Sequence, residues 1–550
     1  MTDRSNSENS ARAAVRSALS RRDVLRMGAA ALPAGLMLPA WLTAEAATAP
    51  STFDFYIGPQ GSDSNSGTVN APWAISSLRT ASGNFSQLGG KRIGLLPGKY
   101  DVSDLMQNDP VVGALQVPGG SSSSPTYLAS CDSSGKYSPR TATLDAKGSS
   151  GLFGGGVGRG AGVWDGPIIA HTGQYPKNYA VSNLVIDGLV LTGFSYKAIR
   201  IGGASSGDGP SGITGVTIQN CELTGGGHNS GDITDNTSAI WIDGCVGAVV
   251  SNNYIHNNIG FSAASGDHLN AIICWQSQGT VIQYNTCVNA GSVYGKEVAN
   301  QGTNVQYNYI DVSMYSVPAT AYGIQDFTGA NTNGLTQTTN IHHNIVITSG
   351  FGIGRATLSD NYGFSTPVNV YNNTIVGKSG AYTALWLTCE DSGVLKVYNN
   401  IYTGVGDGSG YKSFLTDPKA PTVWDFNLVK ASGMSWALRQ NATLSNVIGT
   451  YSSTSAFASA LSSNGGIGGA ESHSVVNDNP GFVGSGSFAS AYQLSSSSPA
   501  KGAGRTNGTS AGSACDMGAW GNGATQVGCN FAGGAGGTST VPMAPALTVS

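Results

Sequence analysis

Val249-Val250-Ser251-Asn252-Asn253, Val281-Ile282-Gln283-Tyr284-Asn285 and Asn304-Val305-Gln306-Tyr307-Asn308 state one short phrase three times: alternating apolar residues that close on Asn. The phrase extends in both directions. Val216-Thr217-Ile218-Gln219-Asn220 precedes it, and Asn340-Ile341-His342-His343-Asn344, Asn369-Val370-Tyr371-Asn372-Asn373 and Leu395-Lys396-Val397-Tyr398-Asn399-Asn400 follow. The closing asparagines lie 33, 32, 23, 36, 29 and 27 residues apart. A period of 20–50 residues marks a stacked repeat, and strands this short make it a β-solenoid.

A further strand recurs after a loop of variable length: Ala198-Ile199-Arg200-Ile201, Ala239-Ile240-Trp241-Ile242, Ala271-Ile272-Ile273-Cys274, Phe351-Gly352-Ile353 and Ala384-Leu385-Trp386-Leu387. Three short strands per coil with an Asn at one sharp corner predict an all-β chain folded as a right-handed parallel β-helix. Asn tolerates left-handed geometry, and its amide can bond the same corner of neighbouring coils. These asparagines are therefore read as structural.

Composition agrees. The 550 residues include 79 glycines, 40% are apolar and only 11% are charged. Disordered, collagenous and long-helical chains are excluded by the apolar content, the aperiodic glycines and the scarcity of helix formers. A net charge of −4 without a basic run argues against nucleic acid as a partner. The eight cysteines contain no CxxC, which disfavours zinc; Cys515 and Cys529 bracket a Gly-rich loop and are the expected disulfide pair.

Ser20-Arg21-Arg22-Asp23-Val24-Leu25-Arg26 resembles a twin-arginine export signal. The apolar stretch Met27 to Leu42 after it is short and holds two prolines, so no stable membrane insertion is expected. Cleavage is placed after Ala44-Glu45-Ala46. The expected layout is a signal at 1–46, cap and first coils at 47–175, central coils at 176–405, C-terminal coils and a closing segment at 406–530, and a flexible tail at 531–550. Export to the periplasm or beyond the cell follows, as a monomer.

Tyr56-Ile57-Gly58-Pro59-Gln60-Gly61 through Ala71-Pro72-Trp73, Leu95-Leu96-Pro97-Gly98-Lys99-Tyr100, and the late stretches Asn479-Pro480-Gly481-Phe482-Val483 and Asp516-Met517-Gly518-Ala519-Trp520 complete a resemblance to the pectate-lyase-like superfamily. The resemblance implies an opening strand with a short N-terminal capping helix, last coils near residue 520, and a polysaccharide as substrate. It identifies the reaction poorly, because that superfamily contains lyases, hydrolases and epimerases.

Alternation along the recurring strand names the face that would hold the polysaccharide. With Ile199, Ile240, Ile272, Val293 and Leu385 inward, Arg200, Trp241, Ile273, Tyr294 and Trp386 point out, followed by Asp243, Trp275, Lys296, Thr388 and Glu390; Gln325 and Arg355 join them. A row of exposed aromatics suits sugar faces; the structural alternative is that loops cover the rings. The lyases of this superfamily use Lys or Arg as base, so the resemblance implies Lys296 as base with Arg355, two coils on, as helper. The plain alternative is a surface lysine paired with Glu297. Asp235, Asp243, Asp267 and Asp326 come from successive coils and offer oxygen ligands to Ca²⁺.

The first reading is therefore a lyase that cleaves a uronate-containing polysaccharide by β-elimination, and two others stand beside it. From Asp187 to Lys396 there are 13 acids against six Lys and Arg, a balance that fits a neutral glycan and hydrolysis by a pair among Asp243, Asp267, Asp326 and Glu390. A non-catalytic glycan-binding β-helix would share the aromatic face.

Overall fold

The chain divides into Met1–Ala44 and Glu45–Ser550. The computed structural model describes residues 47–103, 105, 115–146, 168–172, 181–194, 197–203, 212–226, 237–258, 269–297, 300, 302–314, 322–328, 337–355, 367–378, 383–387, 393–406, 412–430, 433–439, 447–484 and 488–531. The expected signal at 1–46, Asp235, Asp267, Glu390 and all of the expected tail but Phe531 lie outside these residues.

Three twelve-stranded sheets make the fold, a right-handed parallel β-helix. The first runs from Phe55–Ile57 to Pro421–Asp425, the second from Leu115–Gln116 to Val447–Tyr451, and the third from Gly98–Asp101 to Val475–Val476. One coil takes one strand from each sheet. Val216–Gln219 of the first leads to Glu222–Thr224 of the third, then Thr237–Asp243 of the second and Val249–Ser251 of the first again. Pairing is parallel throughout these sheets except at the last pair of the second, Trp436–Arg439 with Val447–Tyr451. Among the described residues, no helix is long and apolar enough to cross a membrane.

One α-helix spans Thr454–Ser463, started by Ser453 accepting from Ala456 N–H. At the N-terminal end, 3₁₀ turns occupy Ile75–Leu78 and Phe85–Gln87, with Leu78 fully buried, and Ser103 and Leu105 are α-helical.

The corner divides its two tasks between successive residues. Left-handed backbone belongs to Asn220, Asn252, Tyr284, Tyr307, His343, Asn372, Asn399 and Phe426, with φ from 52° to 58°. The residue after each carries the ladder. Asn253, Asn285, Asn308, Asn344, Asn373, Asn400 and Asn427 are fully buried, and each accepts from the preceding coil. Asn285 is typical: its Nδ2 donates to Val250 O at 2.9 Å and to Asn308 Oδ1 at 3.0 Å. The ladder ends on Glu471, which also accepts from Trp424 Nε1 at 2.9 Å. Asn220 therefore sits at the corner and not in the ladder; Cys221 occupies its ladder position, where Asn253 Oδ1 accepts from the Cys221 backbone N–H.

The C-terminal stretches expected to form the last coils do something else. After Val475–Val476 the chain turns back and retraces the stack as a strap. Arg505 and Asn399 exchange two bonds, at 3.0 and 2.7 Å, and Ala519 N–H reaches Thr374 at 3.0 Å. Gly528 N–H then reaches Tyr307 O at 2.8 Å, Cys529 N–H reaches Thr286 at 2.9 Å, and Asn530 N–H reaches Asn252 at 2.9 Å. Arg140 lies 3.7 Å over the Phe531 ring. This path corrects the expected disulfide, since Cys515 and Cys529 are not bonded to each other. Cys515 sits beside Asn399 and Cys529 beside Thr286. Those positions are four coils apart, roughly 19 Å, far beyond disulfide reach.

Candidate functional site

Strand pairing in the second sheet fixes the columns of its outer face. Arg200, Trp241, Ile273, Tyr294, Gln325, Gly354, Trp386, Leu415 and Ala437 are in register across nine strands. A second column holds Gly202, Asp243, Trp275, Lys296 and Phe327. Trp241, Ile273, Tyr322, Phe351, Trp386, Leu415 and Ala437 pack as an apolar cluster separate from the interior. Pairing places Arg200, Trp241, Gln325, Trp386, Asp243 and Trp275 at these strand positions; Tyr294 and Lys296 share the backbone register, and their side chains lie outside the described residues.

Exposure departs from the expectation. Trp241 is 5% exposed and Trp386 9%, because the rings stack on one another. Trp241 and Trp275 stack at 5.4 Å, Tyr322 and Phe351 at 4.5 Å, and Phe351 meets Trp386 at 5.2 Å. Gly354 makes room for this: a Cβ there would lie 2.9 Å from the Tyr322 ring.

Arg355 and Asp326 are corrections. They share a column with Ile201, Ile242, Cys274 and Leu387, all of the interior core. Arg355 is 0% exposed, and its Nη1 lies 3.9 Å from Asp326 Oδ2. Alternation from Ile353 puts Gly354 out and Arg355 in, and the buried guanidinium gains a carboxylate neighbour there. A catalytic helper on the outer face is thereby ruled out for Arg355, as are acid, base and calcium roles there for Asp326.

The sequence reading missed Lys197, Ser238, Tyr322 and Phe351. Ala198 and Ile199 both face the core, as do Ala239 and Ile240, and Ala271 and Ile272. Each doublet reverses the alternation, with a register shift between Asn270 and Ile272. The residue before the Ala therefore points out. Lys197 Nζ accordingly lies 4.1 Å over the Trp241 ring. The repeated Ala-Ile doublet was the available signal.

Asp243 is 6% exposed. Burial pushes its carboxyl up to about 6, against the pull of the Arg200 and Lys197 charges. Three buried polar atoms on the single strand Thr237–Asp243 have no hydrogen-bond partner among the described residues: Ser238 Oγ, Trp241 Nε1 and Asp243 Oδ1. Each such orphan costs about 1–3 kcal/mol unless something completes it. Of the expected calcium ligands, the two that are described do not converge, because Asp326 faces the core and Asp243 neighbours two cations. No group of three or more His, Cys, Asp or Glu gathers among the described residues.

No protein-family model matches the chain, and no curated protein matches it. Among solved structures, it is similar to pectate lyase Pel9A at 16% identity, covering 85% of this chain and 95% of that one, with a TM-score of 0.43. It is also similar to a rhamnogalacturonan lyase at 13% identity, covering 67% and 85%, with a TM-score of 0.39. The A-module of the Azotobacter vinelandii mannuronan C-5 epimerase AlgE4 matches at 15% identity, covering 68% and 93%, with a TM-score of 0.29.

Proposed function

We propose that the protein acts on a polysaccharide along the outer face of its second sheet and cleaves a uronate-containing chain by β-elimination. The observation that carries the reading is the strand Thr237–Asp243, with three buried polar atoms that no described residue partners, beside stacked indoles and two cations. A sugar offers an apolar ring face to the indoles and hydroxyls to Ser238, Trp241 and Asp243. Lys197 and Arg200 add positive charge that suits a uronate carboxylate.

Lys296 is the base in this reading. It stands in the Asp243 column, two coils away or roughly 10 Å, with Trp275 between them in register. Its amine takes the C5 proton, the electron pair forms the C4–C5 double bond, the C4–O bond breaks, and the departing glycosidic oxygen takes a proton from water. A lysine base must be neutral when it acts, which a neighbouring charge or burial favours. Asp235 and Asp267 would supply the carboxylates for a bound calcium ion, whose charge would mask that of the uronate.

A second reading has its own support. A carboxyl raised to about 6 is a candidate general acid, so Asp243 could protonate a leaving oxygen in a hydrolase. The deciding experiment follows product absorbance from the new double bond together with reducing ends, for the wild type and Lys296→Ala. Elimination that survives Lys296→Ala rejects the base assignment.

A further inference from the structure

The start of the described chain is gripped by one side chain. Ala47 N–H donates to Gln219 Oε1 at 2.8 Å, and Gln219 Nε2 donates to Ala47 O at 2.7 Å. A single primary amide therefore pairs with both backbone groups of one residue. The same Nε2 donates to Asp187 Oδ2 at 2.9 Å.

Asp187 is fully buried. Its Oδ2 also accepts the Tyr127 hydroxyl, and its Oδ1 accepts the Tyr137 hydroxyl at 2.8 Å and Asn220 Nδ2 at 2.7 Å. All four donors are neutral, and no ion pair to Asp187 exists among the described residues. A buried carboxylate without a cation is costly even when hydrogen-bonded. The residue held next to it is the one that follows Ala44-Glu45-Ala46, whose small residues at alternate positions fit leader-peptidase cleavage.

We propose that Gln219 and Asp187 form a socket for a new amino terminus at Ala47, created by cleavage of the Ala46–Ala47 bond. The reaction is peptide hydrolysis by a leader peptidase. One water is consumed, Ala46 gains the carboxylate, and Ala47 gains an α-amino group that is protonated below about pH 8. The ammonium keeps the donation to Gln219 Oε1 and adds two donors and a positive charge one amide away from Asp187. Ala47 packs against the cluster of Phe53, Tyr127, Ala129 and Val185, which holds the terminus in place. The inference is independent of the reaction proposed for the second sheet.

Intact mass of the exported protein should give Ala47 as its first residue. Full chains are then compared at neutral pH, one beginning at Ala47 and one retaining Ala44-Glu45-Ala46 ahead of it. The first should melt higher, by roughly 2 °C or more. Asp187→Asn should abolish that difference, since the charge it depends on is gone. A mature terminus elsewhere, or equal melting of the two wild-type forms, overturns the socket; the wild-type pair decides even if Asp187→Asn does not fold.

Discussion

The outer faces of the third and second sheets are built on the same coils, yet they end differently. On the third, the returning strap lies over Tyr309, Ile345 and Ile347 and adds Ala489, Ala519 and Val527 to them. Thr286 and Thr374 there receive strap N–H groups at 2.9 and 3.0 Å. On the second, Ser238, Trp241 and Asp243 hold buried polar atoms that no described residue completes. A solenoid repeats its backbone from coil to coil, so the two faces differ in what covers them. The face closed by the chain's own strap is structural, and the one with polar atoms that no described residue completes is where the proposed function places the substrate.

The largest test of that contrast is Lys296→Ala, which should lower turnover by about 10²–10⁴ while leaving thermal unfolding unchanged. Removing a residue on the third sheet's covered face should do the reverse. Arg355→Met separates interior from surface in the same way. Breaking the pair with Asp326 should cost about 3–5 kcal/mol in denaturant unfolding, whereas a catalytic helper would lose turnover at full stability.

The ladder's end gives a pH test. Burial pushes Glu471 from 4.5 up to about 7, against donors from Ser474, Asn427 and Trp424. The folded state then holds this proton more tightly than the unfolded chain. Its contribution is present in full below about 4.5 and is lost as pH rises through about 7. Glu471→Gln should remove a pH-dependent loss of about 3 kcal/mol, read from urea midpoints at pH 5 and pH 8. The smallest effect is expected at Asp243→Asn. Under elimination it should raise KM roughly tenfold, about 1.4 kcal/mol, with kcat little changed. Under hydrolysis with Asp243 as acid, kcat itself should fall by about 10² or more.

Much of the fold was legible because the phrase ending in Asn repeats wherever the corner repeats. The division of labour at that corner was not, since Tyr284, Tyr307, His343 and Phe426 take left-handed geometry without being Asn. The columns of the second sheet were legible from alternation up to the Ala-Ile doublets, where two successive core-facing residues break the alternation and hide Lys197 and Ser238. Arg355 misled because charge was read as exposure; only the three-dimensional register shows Asp326 beside it in the core. The strap was invisible because its bonds join residues such as Asn530 and Asn252, 278 positions apart. No local pattern encodes such a return.

The most direct measurement incubates the protein beginning at Ala47 with a panel of acidic and neutral polysaccharides, with and without chelator, and follows ultraviolet absorbance and reducing ends together. The account predicts that both rise on a uronate-containing polymer and that both are lost in Lys296→Ala. Reducing ends without absorbance would contradict elimination and move the chemistry to Asp243; no product from any polymer, with glycan binding retained, would contradict catalysis itself.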